Sequence, residues 1–160
     1  DEALRLADRI AIMKEGRILQ VATPTEMYQH PANDFVAGFL GNPPIAFLEA
    51  KFKDGFIQIL EGAIRLNFPE KLEAPKDGTR IRLGIRPEHY QPNHPIKIPG
   101  TISFVETQGR ENLFDIRLKD GSLMRSIQSS EAPIPEPGTE VNWGVNPGQL
   151  LYFDEAGRCL

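Results

Sequence analysis

Residues Ile45–Phe68 read IAFLEAKFKDGFIQILEGAIRLNF. Three alternating runs, Phe47–Lys53, Phe56–Leu60 and Ala63–Phe68, are separated by Asp54-Gly55 and Glu61-Gly62. Period-two alternation turns one side of a strand to a core and the other to water. An acidic residue followed by Gly supplies the positive φ that a tight hairpin turn requires. The stretch predicts three consecutive antiparallel strands. The same texture continues to the end, with strands expected at Arg80–Arg86, Lys97–Thr107, Leu113–Leu118, Ser122–Ile127, Val141–Val145 and Leu150–Phe153. Asp120-Gly121 is a further hairpin turn, and the Pro-rich stretches Pro87–Pro95 and Glu131–Gly138 read as loops. Turn signals about every 8–12 residues are the pattern of an all-β barrel or sandwich.

Upstream of Ile45 the texture changes. Gly41-Asn42-Pro43-Pro44 reads as a linker, since two prolines disfavour helix and stiffen the connection. Before it, Thr23-Pro24-Thr25-Glu26 carries a capping box with Pro at the first helical position and predicts a helix to about His30. A second short helix, about Asn33 to Leu40, puts Phe35, Val36, Phe39 and Leu40 on an apolar side, and Gly41 suits its C-cap. Arg9–Lys14 and Arg17–Ala22 form a hairpin across Glu15-Gly16. Asp1–Asp8 reads as the end of a helix with no N-cap and no initiator Met, as expected of a piece of a longer chain.

Composition narrows the function classes. The net charge is −4, from 18 basic and 22 acidic residues. Residues 1–40 carry six acids and four bases and residues 41–160 carry sixteen and fourteen, with signs mixed along both parts. A nucleic-acid binder shows a basic face or stripe, and none is visible. The single cysteine, Cys159, excludes an internal disulfide. No apolar run approaches the ~20 residues that cross a bilayer as a helix, and nothing reads as a signal peptide.

The order of segments resembles one family. Ala7-Asp8-Arg9-Ile10-Ala11-Ile12-Met13-Lys14-Glu15-Gly16-Arg17-Ile18 is similar to the segment that follows the switch histidine of ABC ATPases. Ala22–Tyr28 and Pro31–Gly41 are similar to the stretch closing that nucleotide-binding domain. Gly84-Ile85-Arg86-Pro87-Glu88-His89 and the ending Leu150–Asp154 with Gly157-Arg158 resemble signatures of its C-terminal regulatory domain. The likeness is nearest to subunits serving maltose and glycerol-phosphate importers. It implies a mainly β protein: an OB-fold-like (TOBE/MOP-like) barrel over residues 45–160, preceded by a small α+β remnant of the nucleotide-binding domain over residues 1–44.

The resemblance also implies a subunit that dimerises under membrane-spanning importer subunits on the cytoplasmic face of the inner membrane. The expected partners are a second copy, the preceding ATPase domain, those membrane subunits and cytoplasmic regulators, with no nucleic acid. Gly84, Arg86, Pro87, Glu88 and Trp143 are the expected signature and interface residues, weighed against an Arg86–Glu88 ion pair and against Trp143 as core. The chemistry of ATP hydrolysis is not expected in this piece. A P-loop needs Gly-x-x-x-x-Gly-Lys-Ser/Thr, and the sequence has no Gly-Lys pair. ATP and Mg²⁺ therefore belong to the parent subunit, and no cofactor, metal or catalytic residue is expected here. His30, His89 and His94 lack the i, i+4 spacing of a ligand pair. The alternative is a barrel that binds a small oxyanion or sugar, with Lys97, Ser126, Ser129 and Ser130 as candidate ligands. Without its ATPase partners, segment 1–40 is expected to fold back on the barrel or to pair with another copy.

Overall fold

The computed structural model describes residues 8–160, so the expectation of a helix ending near Asp8 lies outside the described residues. A hairpin of β1 (Ile10–Lys14) and β2 (Arg17–Ala22) leads to α1 (Pro24–Gln29) and α2 (Asp34–Phe39). Both helices start as the sequence dictates. Thr23 Oγ1 accepts from the Glu26 N–H at 3.2 Å while Glu26 Oε2 accepts from the Thr23 N–H at 3.4 Å, and Asn33 Oδ1 accepts from the Val36 N–H at 2.9 Å. Ile12, Ala22, Met27, Val36 and Leu40 form a small core between hairpin and helices. Gly41 follows α2 at φ +95°, a left-handed value natural to Gly, and the Asn42–Pro43 bond is cis.

After the linker the chain is almost entirely strand: β3 (Ala46–Lys53), β4 (Phe56–Ile59), β5 (Ile64–Asn67), β6 (Arg80–Ile85), β7 (Ile96–Lys97), β8 (Gly100–Gln108), β9 (Glu111–Leu118), β10 (Leu123–Ser129), β11 (Glu140–Val141), β12 (Gly144–Val145) and β13 (Leu151–Phe153). The five-stranded sheet runs β13-β6-β3-β4-β5, the four-stranded sheet β10-β9-β8-β11, and β12 pairs with β7. β3 alternates buried and open positions along its length, as its sequence requires. Both larger sheets turn their apolar faces to one core holding Leu48, Ile57, Leu83, Ile102, Phe114 and Trp143. Each such side chain, fully buried, contributes about 1.5–3 kcal/mol.

Two expected strands are broken. Lys97–Thr107 divides at Ile98-Pro99, where Pro99 has no N–H for the ladder. Val141–Val145 divides at the facing residues, and Ile98 N–H donates to Trp143 C=O there at 2.8 Å. Gln108–Glu111, which sequence reading left without a turn, closes the β8–β9 hairpin with Gly109 at φ +69°.

The barrel is built twice from one unit. Lys76–His89, KDGTRIRLGIRPEH, recurs sixty residues on as Glu136–Gln149, EPGTEVNWGVNPGQ. The hydrogen bonds recur too. Gly78 N–H donates to Phe52 C=O and Gly138 N–H to Ile102 C=O, each at 2.7 Å. Phe52 and Ile102 donate back to Thr79 and Thr139 at 2.8 and 2.9 Å. Each unit then lends its following residues to the other. Leu151, after the second copy, pairs with Gly84 of the first. Gln91, after the first copy, exchanges both backbone bonds with Gly144 of the second at 2.9 Å each.

Candidate functional site

Strand β6 ends at Ile85, and Pro87 starts a single 3₁₀ turn, so the residue between them, Arg86, leaves the sheet at the foot of the helices. Its side chain is 2% exposed. Nη1 donates to Ala37 C=O at 2.9 Å and to Leu40 C=O at 3.0 Å, and Nη2 donates to Tyr28 C=O at 3.0 Å. The guanidinium lies over the Tyr28 ring, 3.9 Å from its centroid. The planar fork thus meets carbonyls from both helices, including the last ones of α2, where the negative end of the helix dipole favours a cation. Burial draws its pKa below the ordinary arginine value, and neighbouring Tyr28 and Glu88 oppose that.

Glu88 does not pair with Arg86. It is exposed and accepts a hydrogen bond from the Tyr28 hydroxyl. The expected Arg86–Glu88 ion pair is therefore replaced by carbonyls on one side and a phenol on the other. Arg82 adds an ion pair to Asp34 and lies over the Phe47 ring at 4.6 Å. Behind these contacts, Ala37, Ile45 and Phe153 close a third apolar cluster. Gly84 is fixed by crowding, since a Cβ there would stand 2.8 Å from Ile45 Cδ1 and 2.9 Å from Phe153 Cε2. Pro87 is buried in the turn.

Trp143 lies elsewhere. It is 7% exposed and packs edge-on against Phe114 and Tyr90, with centroids 5.2 and 6.0 Å away. Its indole belongs to the core, which removes it from the expected interface. The linker residues Gly41, Asn42, Pro43 and Pro44 connect α2 to β3 beside Arg86, and a Cβ on Gly41 would lie 3.7 Å from Arg86 Nη1.

Of the candidate oxyanion ligands only Ser126 is buried, while Ser129 and Ser130 are exposed. Ser126 is fully buried, donates to Tyr90 C=O at 2.5 Å and accepts from Gln128 Nε2 at 3.0 Å. Lys97 Nζ donates to Pro92 C=O at 2.6 Å, and Ser129 Oγ accepts from the Glu131 N–H at 3.3 Å. Ser130 N–H donates to Arg110 C=O at 2.9 Å.

Sequence reading marked Gly157-Arg158 as part of a family signature but assigned the last four residues no structural role. Gly157 C=O accepts from the Asp34 N–H at 2.8 Å, and Cys159 N–H donates to Ala32 C=O at 3.1 Å, with a β-bridge between Asn33 and Arg158. No residue type in this tail announces that role. Between tail, helices and barrel runs an open groove of about 1130 Å³, with Tyr28, Phe68, Leu72 and Tyr152 among its walls. No helix among the described residues is long and apolar enough to cross a membrane.

The structure is thus a two-unit OB-like barrel seated against a short helical segment through one buried arginine. Residues 41–90 match the MalK OB fold domain and residues 83–153 the TOBE domain. Over 99% of its length the chain is 31% identical to the sn-glycerol-3-phosphate import ATP-binding protein UgpC 1 of Rhizobium johnstonii, covering 44% of that protein. With the same coverage it is 34% identical to the maltose/maltodextrin import ATP-binding protein MalK of Mannheimia succiniciproducens and to the trehalose/maltose import ATP-binding protein MalK of Thermococcus litoralis, spanning 45% and 46% of them. The chain thus carries a MalK-type OB fold domain and a TOBE domain, and its homologues over its whole length are MalK/UgpC ATP-binding subunits of ABC importers, which it matches in their C-terminal part. It spans less than half the length of the curated relatives it matches. The molybdate-bound form of the cytoplasmic molybdate-binding protein ModG is 14% identical, with a TM-score of 0.54 over 66% of this chain and 93% of that one, which is a likeness of fold alone.

Proposed function

We propose that this chain is the regulatory and dimer-stabilising part of a carbohydrate importer's ATP-binding subunit, acting through protein contacts rather than chemistry of its own. The observation that carries this reading is the uncovered outer side of the β1–β2 hairpin. Met13, Ile18 and Val21 are 58%, 61% and 45% exposed there, while Ile12 and Ala22 bury the other side against the helices. A two-stranded hairpin with an apolar outer side is incomplete alone. In this reading the complement is the ATPase domain that precedes the segment in the parent subunit. That parent couples ATP and Mg²⁺ to solute uptake, works as a pair of copies beneath membrane-spanning subunits on the cytoplasmic side, and offers the barrel to a second copy and to regulators. Residues 1–44 then close the ATPase domain, and residues 45–160 form the regulatory barrel.

The ModG likeness raises a second reading, a barrel that takes an oxyanion. Ser126 speaks against it, since its hydroxyl is buried and donates to the Tyr90 carbonyl. The test is a chimera in which the T. litoralis subunit carries residues 8–160 in place of its matched C-terminal part. The chimera is expected to dimerise and to support ATP-driven trehalose uptake in vesicles. A folded chimera that hydrolyses ATP but neither dimerises nor imports would overturn the reading, and so would saturable molybdate or sulfate binding by the 160-residue chain.

A further inference from the structure

The contacts around Arg86 and around the tail have one feature in common: both ends of α2 are completed by the barrel side of the molecule. A six-residue helix is marginal on its own in water, and its terminal N–H and C=O groups need outside partners. At the N-terminal end, the Asp34 N–H donates to Gly157 C=O. At the C-terminal end, Arg86 takes the carbonyls of Ala37 and Leu40 and also holds α1 through Tyr28 C=O. The apolar contribution is small. Among the described residues, Ala37, Ile45 and Phe153 are the buried members of the cluster joining helix and barrel, whereas the barrel core contains twenty buried residues.

We propose that Arg86 and the tail Gly157–Cys159, with the Arg82–Asp34 ion pair beside the tail, form a catch that holds α2 and the end of α1 on the barrel, and that its release undocks the helices while the barrel stays folded. The tail is itself anchored, since Phe153 bridges Cys159, Asp154 N–H donates to Arg158 C=O at 2.9 Å, and Leu160 N–H donates to Tyr152 C=O at 2.8 Å. Gly157 is the tight point of this strap. Its φ is +88°, and a Cβ would stand 2.6 Å from Asp34 Oδ1. The regulatory consequence rests on the function proposed above. A partner that binds better to one state of the catch would bias the helices that end the ATPase domain, and the coupling would run equally in the other direction.

Hydrogen exchange of the 160-residue chain, read peptide by peptide, tests the catch itself. In the unaltered chain the amides of Val36–Leu40 are expected to be protected. Arg86→Ala and, separately, Gly157→Ala are each expected to speed their exchange at least about tenfold while β3, β6 and β9 exchange as before. Should Arg86→Ala prevent folding, Gly157→Ala still decides, because it lies outside the barrel core. Exchange in α2 within about twofold of the unaltered chain in Gly157→Ala, or α2 and barrel strands accelerating together, would refute the catch. Either result leaves the importer reading standing, since that depends on uptake by the chimera.

Discussion

Arg86 and His89 sit in one turn, and neither role could be read from spacing. The sequence offers Glu88 two positions from Arg86, and charge alone suggests a local pair. The fold instead brings three carbonyls from residues 28 to 40, a separation that no local rule reaches. His89 is half-buried, its Nδ1 is closed off without a partner, and burial is the main reason its pKa lies below the ordinary 6.5. The sign follows from linkage. Below pH 6.5 the unfolded chain takes up a proton that the folded chain resists, so this group costs stability as pH falls from 6.5 towards its folded value and has no effect above. His89→Gln, which installs the residue found at the matching position of the second unit, removes that term. Melting temperatures at about pH 7.5 and about pH 5 should fall less between the two in the variant than in the unaltered chain. Equal drops would show that His89 is not the group responsible.

At the scale of elements, the strands were largely legible because alternation and Gly-containing turns are local signals. Residues 46–53 and 56–59 fold as their pattern demands. The reciprocal exchange between the two units was not legible strand by strand. Asn142-Trp143-Gly144 reads as ordinary strand until it is set beside Arg82-Leu83-Gly84, and only the sixty-residue recurrence marks both glycines. Their crowding differs in kind. A Cβ at Gly84 meets side-chain tips, which can shift. A Cβ at Gly144 would stand 2.4 Å from His94 C=O and 2.7 Å from Ile96 C=O, which are backbone atoms rather than side-chain tips. Gly84→Ala is therefore expected to cost about 1–3 kcal/mol in urea unfolding, as overpacking does, and Gly144→Ala distinctly more. A smaller loss for Gly144→Ala would argue against the exchange of Gln91 and Leu151 between units.

The whole molecule joins one large core to one small one. The barrel core draws on both sheets and suffices for a domain, while the hairpin and helices share five buried apolar residues and leave one side of the hairpin bare. Sequence reading anticipated that residues 1–40 would fold back or pair with a copy, and residues 24–40 do lie on the barrel. What held them there was not legible, because an arginine fork and a four-residue tail act through backbone groups that every sequence has. The bare side of the hairpin is the prediction at this scale. Calorimetry of the 160-residue chain against the separately produced ATP-binding portion of the T. litoralis subunit tests it most directly. Saturable one-to-one binding, abolished by Ile18→Lys, is the predicted result. No heat of binding between two folded partners, or binding that Ile18→Lys leaves intact, would contradict it.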